Sequence, residues 1–154
     1  MAMSDEQATR AVVDTIVRFG RALDDRDWAA LRGCLAAELD TDYSSFRGTP
    51  PARLTADEFV ALRRDGLAEL VTQHLSMGHL VDITNDVAVC RCDFVIRRWP
   101  ADVADQRFLH SYGCYTFELR RIPRGWEITG ITQAVRRNEG DPGIHGAFGR
   151  RSGR

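Results

Sequence analysis

The stretch Val71-Thr72-Gln73-His74-Leu75-Ser76-Met77-Gly78-His79-Leu80-Val81-Asp82-Ile83 decides how the chain is read. Up to Leu70 the apolar residues recur at helical spacing. From Val71 the period drops to two, with Val71, Leu75, Met77, Val81 and Ile83 alternating with Thr72, His74, Ser76 and Gly78. That is a strand of unusual length, and Gly78 is a natural place for it to bend. Three further strands follow, over Val87 to Trp99, Phe108 to Arg121 and Trp126 to Arg136. Arg121-Ile122-Pro123-Arg124-Gly125 makes the hairpin between the last two.

Before this stretch the pattern is helical. From about Asp5 to Leu23, Val13, Val17 and Gly20 fall on one line with Val12, Ile16 and Leu23 beside it. Asp27 can cap a second helix that begins at Trp28 and buries Trp28, Leu31 and Leu35. A capping box, Thr55 with Glu58, opens a third that shows Phe59, Leu62, Gly66 and Leu70 at helical spacing. Pro50 and Pro51 lie in the loop before it, and a short strand over Leu39 to Phe46 is the remaining sheet member. Helices first and a long meander after them is an α+β pattern. No repeat, low-complexity block or linker divides the chain, so residues 1–154 read as a single domain. Its core spans about 8–138, followed by a C-terminal segment and flexible tail over 139–154. Helices across the concave face of a bent sheet leave a cavity suited to a small molecule.

Composition narrows the partners. The chain has 154 residues, 44% hydrophobic and 28% charged, with a net charge of −1. That balance gives no electrostatic basis for a nucleic-acid or acidic-membrane partner. The arginines near the end (Arg136, Arg137, Arg150, Arg151, Arg154) read as a solvated tail. No apolar run approaches the roughly 20 residues that span a bilayer. Met1 to Arg10 is polar and acidic, unlike a signal peptide. The four cysteines show no disulfide-framework spacing, and Cys90 and Cys92 read as small buried hydrophobes on one strand face. A metal site using them with a nearby histidine stays open, unsupported by any C-x-x-C or H-E-x-x-H spacing. A reducing, cytoplasmic setting fits these features.

Three residue types are out of place. Asp24 continues the line Val13, Val17, Gly20, where an apolar residue belongs. Either it points into a cavity, where buried carboxylates concentrate at functional sites, or it frays into water at the helix end. His74 and His79 point to opposite faces of a strict alternation, and parity favours His79 as the more buried. Tyr43, in the strand Leu39-Thr41-Tyr43-Ser45, carries a hydroxyl that needs a partner if buried. His110, Tyr112 and Tyr115 on the penultimate strand can line the same cavity or simply fill it. There is no GxSxG, Walker loop, GxGxxG or zinc-deaminase signature. A cofactor-free site of Asp, His and Tyr would do proton-transfer chemistry.

At these residues the chain resembles the SnoaL-like and scytalone dehydratase-like branch of the nuclear transport factor 2 superfamily. Asp24-Asp25-Arg26-Asp27-Trp28 resembles the helix-end segment that bears a catalytic aspartate. Asp42-Tyr43-Ser44-Ser45-Phe46 resembles the tyrosine-bearing strand, and Thr72-Gln73-His74 the histidine-bearing one. Gly125-Trp126 falls at the last hairpin, and Asp141-Pro142-Gly143-Ile144-His145 is similar to a C-terminal segment of a bile-acid dehydratase. The resemblance implies a cone-shaped barrel, with N-terminal helices on a strongly curved, mixed, mostly antiparallel sheet. It also implies no metal or cofactor, and commonly a trimer, before a dimer, formed through the outer sheet face. That assembly would account for the apolar odd-numbered face from Val71 to Ile83.

The same resemblance selects His74 over His79 and implies a catalytic set of Asp24, His74 and Tyr43. His74 would take a proton α to a carbonyl, oriented by Asp24, while Tyr43 would bind the carbonyl oxygen. The departures lie among the substrate contacts. Leu23 replaces a second tyrosine, Arg97 falls near a second histidine, and Gly113 and Tyr115 occupy the places of a serine and an asparagine. Phe19 stands where the bile-acid enzyme has a tyrosine. Arg97, Tyr115, Arg136 and Phe19 are therefore the expected substrate-binding residues, with Arg136 equally readable as a surface charge. The expected activity is water elimination from a hydroxylated cyclic or aromatic-type small molecule. An isomerase or cyclase of a polyketide-like ring, or a non-catalytic binding domain, stays open beside it.

Overall fold

The computed structural model describes residues 4–146. Helix α1 (Asp5–Asp24) opens with a capping box between Ser4 and Gln7 and buries Val12, Ile16, Phe19 and Leu23. It ends in a Schellman arrangement. The Asp27 N–H donates to the Ala22 carbonyl at 2.9 Å and the Arg26 N–H to that of Leu23 at 3.3 Å. Arg26 takes the left-handed conformation usually left to glycine, at φ 56. Helix α2 (Trp28–Gly33) is capped by Asp27 and buries Leu31.

The next segment departs from expectation. Strand β1 (Leu35–Asp42) starts earlier than the expected Leu39 and stops before Tyr43. The Asp42 carboxylate accepts the Ser44 N–H at 3.0 Å and the Ser44 hydroxyl at 2.6 Å, which turns the chain out of the strand. Tyr43 therefore lies on a turn, just ahead of the short helix α3 (Ser44–Arg47), which Gly48 ends at φ 68. Strand β2 (Ala52–Thr55), where only a loop is expected, pairs antiparallel with β1. Helix α4 (Ala56–Leu67) opens on the Thr55–Glu58 box. Its buried line is Phe59, Arg63 and Leu67, whereas Leu62 faces solvent and Leu70 already belongs to the next strand.

Strands β3 (Leu70–Thr84), β4 (Val87–Pro100), β5 (Leu109–Ile122) and β6 (Gly125–Gly140) form the meander. The six strands make one sheet in the order β2-β1-β6-β5-β4-β3. Among the described residues only β1 with β6 is a parallel pair, so the α+β sheet is mixed and mostly antiparallel. Register shifts occur at Met77/Leu80, Tyr112/Gly113 and Glu118/Leu119. Bulges of this kind bend a sheet and strengthen its twist. The core lies between α1, α4 and the inner face, with the Phe19 and Phe117 rings edge to face at 5.6 Å.

The bulge in β3 corrects the odd-numbered face. Gly78, at φ 63, lets the strand skip a residue, and the alternation changes parity there. Thr72, His74 and Ser76 face inward before it; His79, Val81 and Ile83 face inward after it. The outward apolar residues are instead Val71, Leu75, Met77 and Leu80, with Val87 on the adjoining β4. At the other end, β6 runs past the expected Arg136 to Gly140. A one-turn 3-10 helix (Pro142–Ile144) then brings His145 into the interior against Phe46. Residues 139–146 thus hold the end of β6 and the described part of the C-terminal segment, while Arg150, Arg151 and Arg154 lie outside the described residues. Among the described residues no helix is long and apolar enough to cross a membrane.

Candidate active site

Asp24 is the last helical residue of α1, and the Schellman turn directs its side chain at β3. Its Oδ2 accepts the His74 backbone N–H at 2.7 Å, and its Oδ1 lies 2.6 Å from His74 Nδ1. A carboxylate only accepts, so Nδ1 carries the proton and Nε2 of neutral His74 keeps its lone pair. The Thr72 hydroxyl also donates to Asp24 Oδ1, at 3.0 Å. Both side chains are largely enclosed, at 13% exposure for His74 and 19% for Asp24. Gly20 makes the approach feasible, since a Cβ there would fall 3.3 Å from His74 Cβ.

Arg26 holds this arrangement from behind. Its Nη1 donates to Thr72 Oγ1 at 3.0 Å and to the Leu23 carbonyl; its Nη2 donates to the carbonyls of Leu67, at 3.1 Å, and Leu70. One guanidinium thereby ties the end of α1, the end of α4 and the start of β3. Burial lowers the pKa of His74 below the ordinary 6.5. The hydrogen bond and charge of Asp24 oppose that shift, and Arg98 and Arg26 add to it. The pair alone would raise the value; desolvation outweighs it.

Two cavities meet at His74. The larger, about 280 Å³, lies between α1 and the sheet, with Phe19, Gly20, Asp24, Phe94 and Phe117 in its wall. The smaller, about 30 Å³, lies deeper and is lined by Tyr43, Arg47, Arg63, Arg98, Gln133 and His145 among others. His74, Ile96 and Tyr115 border both.

The expected residues therefore sort as follows. Asp24 and His74 are brought together, Tyr43 joins His74 in the inner cavity, Phe19 lines the outer one, and Tyr115 lines both. Arg97 does not reach either cavity. On β4 the inward residues are Cys90, Cys92, Phe94, Ile96 and Arg98, so Arg97 points to solvent and its neighbour is the buried arginine. Arg136 is also exposed and away from both cavities. His79 is only partly buried and meets Ser76 Oγ at 2.9 Å. His110 and Tyr112 alternate with the buried residues of β5 and lie outside both cavities; Tyr112 donates to Glu139 at 3.3 Å. Cys90 and Cys92 are buried core residues, and among the described residues no three His, Cys, Asp or Glu side chains gather as a metal site would need.

Arg26, Thr72, Arg47, Arg63, Gln133 and His145 are absent from the sequence-derived site, as is Arg98. Two of them were detectable. Strand parity puts Arg98 with Phe94 and Ile96, and Arg63 stands four residues from both Phe59 and Leu67. Arg26 and His145 depend on a helix terminus and a chain end, which no periodicity marks.

The SnoaL-like domain matches residues 6–132. The chain belongs to the SnoaL-like family. This SnoaL-like chain is 30% identical over 131 residues to the scytalone dehydratase of Colletotrichum orbiculare, covering 77% of this chain and 68% of that one. It is 27% identical over 135 residues to the scytalone dehydratase PfmaJ of Pestalotiopsis fici, covering 82% and 71%. Among solved structures, the Kfla4162 protein of Kribbella flavida superposes with a TM-score of 0.81 at 22% identity, covering 88% of this chain and 95% of that one. The fold is that of the nuclear transport factor 2-like proteins.

Proposed function

We propose that this SnoaL-like chain is a dehydratase that removes water from a cyclic β-hydroxy carbonyl compound using only its own side chains. The observation that carries the reading is the Asp24–His74 pair, closed at Nδ1 and open at Nε2, at the meeting of the two cavities. The likeness to two scytalone dehydratases supports a dehydratase-type function. His74 Nε2 takes the proton from the carbon α to the carbonyl, and the C–H electron pair passes into an enolate. Tyr43, whose hydroxyl has no hydrogen-bond partner among the described residues, donates to the carbonyl oxygen as charge builds there. The enolate then expels the β-hydroxyl, which leaves as water with the proton returned from His74.

The lowered pKa suits the second half of this cycle. Buried imidazolium is a readier acid than an exposed one, and Asp24 keeps it from being too costly to form. A positioned base supplies about 100- to 10,000-fold, enough for an activated α-proton. The test is incubation with a panel of cyclic β-hydroxy ketones that aromatise on losing water, followed by absorbance and mass spectrometry. Products lighter by one water support the reading. Products of unchanged mass would replace it with isomerisation or cyclisation, and no turnover across the panel would replace it with binding alone.

We also propose that copies of the chain associate through the outer stripe of Val71, Leu75, Met77 and Leu80. It lies on the edge strand β3, and an apolar stripe there is a ready surface for pairing.

A further inference from the structure

The inner cavity collects three guanidinium groups that no carboxylate among the described residues neutralises. Arg47 comes from α3, Arg63 from α4 and Arg98 from β4; Arg63 is only 7% exposed and Arg98 3%. None has an ion-pair partner among the described residues. Among the described residues Arg63 is held by the faces of Tyr43 and Phe59, each ring centroid 4.3 Å from its guanidinium carbon. Arg98 lies over the Phe46 ring and donates one bond, at 2.8 Å, to the neutral Ser111 hydroxyl. The Nε of Arg47 is buried with no acceptor among the described residues.

Buried charges are ordinarily paired, because taking an ion out of water is costly unless a counter-charge offsets it. Burial draws Arg47 and Arg98 down to about 10, which still leaves both protonated at neutral pH. Burial and these same arginines hold His145 at about 3, so it stays neutral and adds no charge of its own. Asp24 does not line this cavity, and its contacts go to Thr72 and His74.

We infer that the inner cavity is a receptor for an anionic head, a carboxylate on the substrate, with the rest of that molecule lying past His74 in the larger cavity. Its volume, about 30 Å³, suits a small polar group. Guanidinium donors match a planar carboxylate. Gln133 fits the same reading. Its Nε2 faces the Tyr115 hydroxyl at 2.9 Å and its Oε1 is left buried without a partner. Turning the amide over lets Tyr115 donate to Oε1 and aims Nε2–H at the anion, an orientation equally compatible with the side chain's shape. The substrate class becomes an acidic ring compound, which distinguishes this chain from an enzyme of neutral ketones. The inference rests on the proposed dehydratase reading only for the word substrate; the anion site stands apart from the chemistry.

The experiment is calorimetry on the full chain with benzoate and with benzamide, which share shape and differ in charge. The expected result is at least tenfold tighter binding of benzoate. Arg63→Met and Arg98→Met should lose that preference while leaving benzamide within about twofold. His74→Gln should retain it. Removing an unpaired buried charge should also raise the melting temperature of each Met variant in the absence of anion. Equal affinity of wild-type protein for the two probes, or no binding of benzoate, overturns the inference whether or not the variants fold. Benzoate preference with no dehydration, in a ketone panel extended to carboxylated cyclic β-hydroxy ketones, would leave the anion site and remove the dehydratase; dehydration without benzoate preference would do the reverse.

Discussion

Asp24 grips His74 at two points, the side-chain Nδ1 at 2.6 Å and the backbone N–H at 2.7 Å, so one carboxylate fixes both the ring and the strand that carries it. Both of these contacts need an acceptor. Asp24→Asn turns one of them into a donor facing a donor, and the cheapest escape is for His74 to move its proton to Nε2. Turnover should then fall at least about 100-fold, since the base is spent. Asp25→Asn, one residue on and exposed, should change neither turnover nor melting temperature. Equal behaviour of the two variants would reduce Asp24 to a helix-end charge.

The pH dependence follows from the lowered pKa of His74. The base is the neutral form, so kcat/KM should be flat through neutrality and fall only below pH 6.5, the ordinary histidine value. Stability follows the same sense. The unfolded chain binds this proton at 6.5 and the folded chain at a lower pH, so the contribution is complete above 6.5 and is lost as pH falls through the folded pKa. His145, at about 3, acts alike over the window from 6.5 to 3. Melting temperatures at pH 7.5 and pH 5 check this: wild type should lose more between them than His74→Gln.

Arg26 separates backbone from side chain. Its φ of 56 is strained for arginine by roughly 1 kcal/mol and free for glycine. Arg26→Gly relieves that strain and removes every guanidinium bond, those to Thr72 and to the carbonyls of Leu67 and Leu70 and the second donor to that of Leu23, which keeps the backbone N–H of residue 26. A net loss of about 2 kcal/mol or more is expected from urea unfolding, because buried carbonyls are left without donors. A more stable glycine variant would show that the turn, and not the guanidinium, is what the position requires.

Leu80 is the most exposed member of the β3 stripe, at 70%. Light scattering at micromolar concentration should give an oligomer, a trimer before a dimer. Leu80→Lys with Met77→Lys should shift it to monomer without unfolding it. A monomeric wild-type protein would contradict the proposed association.

The start of α4 was legible because a capping box is local: Thr55 and Glu58 meet within one turn. Asp24 was legible as a carboxylate on an apolar line. The parity of β3 was not, because alternation cannot show that Gly78 is skipped, and that single bulge reassigns Leu80, Val81 and Ile83. Arg97 came from resemblance where the alternation of β4 already favoured Arg98. Tyr43 was found on the wrong element, since the turn after Asp42 depends on a side-chain bond that hydrophobic patterning does not register. The arginine cluster needed three separated segments to converge, and only the folded chain displays that.

The claim that His74 is the base is tested most directly by comparing His74→Gln with His79→Gln on whichever panel ketone loses water. The two histidines lie five residues apart on one strand, yet only His74 borders the cavities. His74→Gln should lower turnover at least about 100-fold with its melting temperature largely kept, and His79→Gln should retain full turnover. An active His74→Gln protein beside an inactive His79→Gln protein would contradict the account.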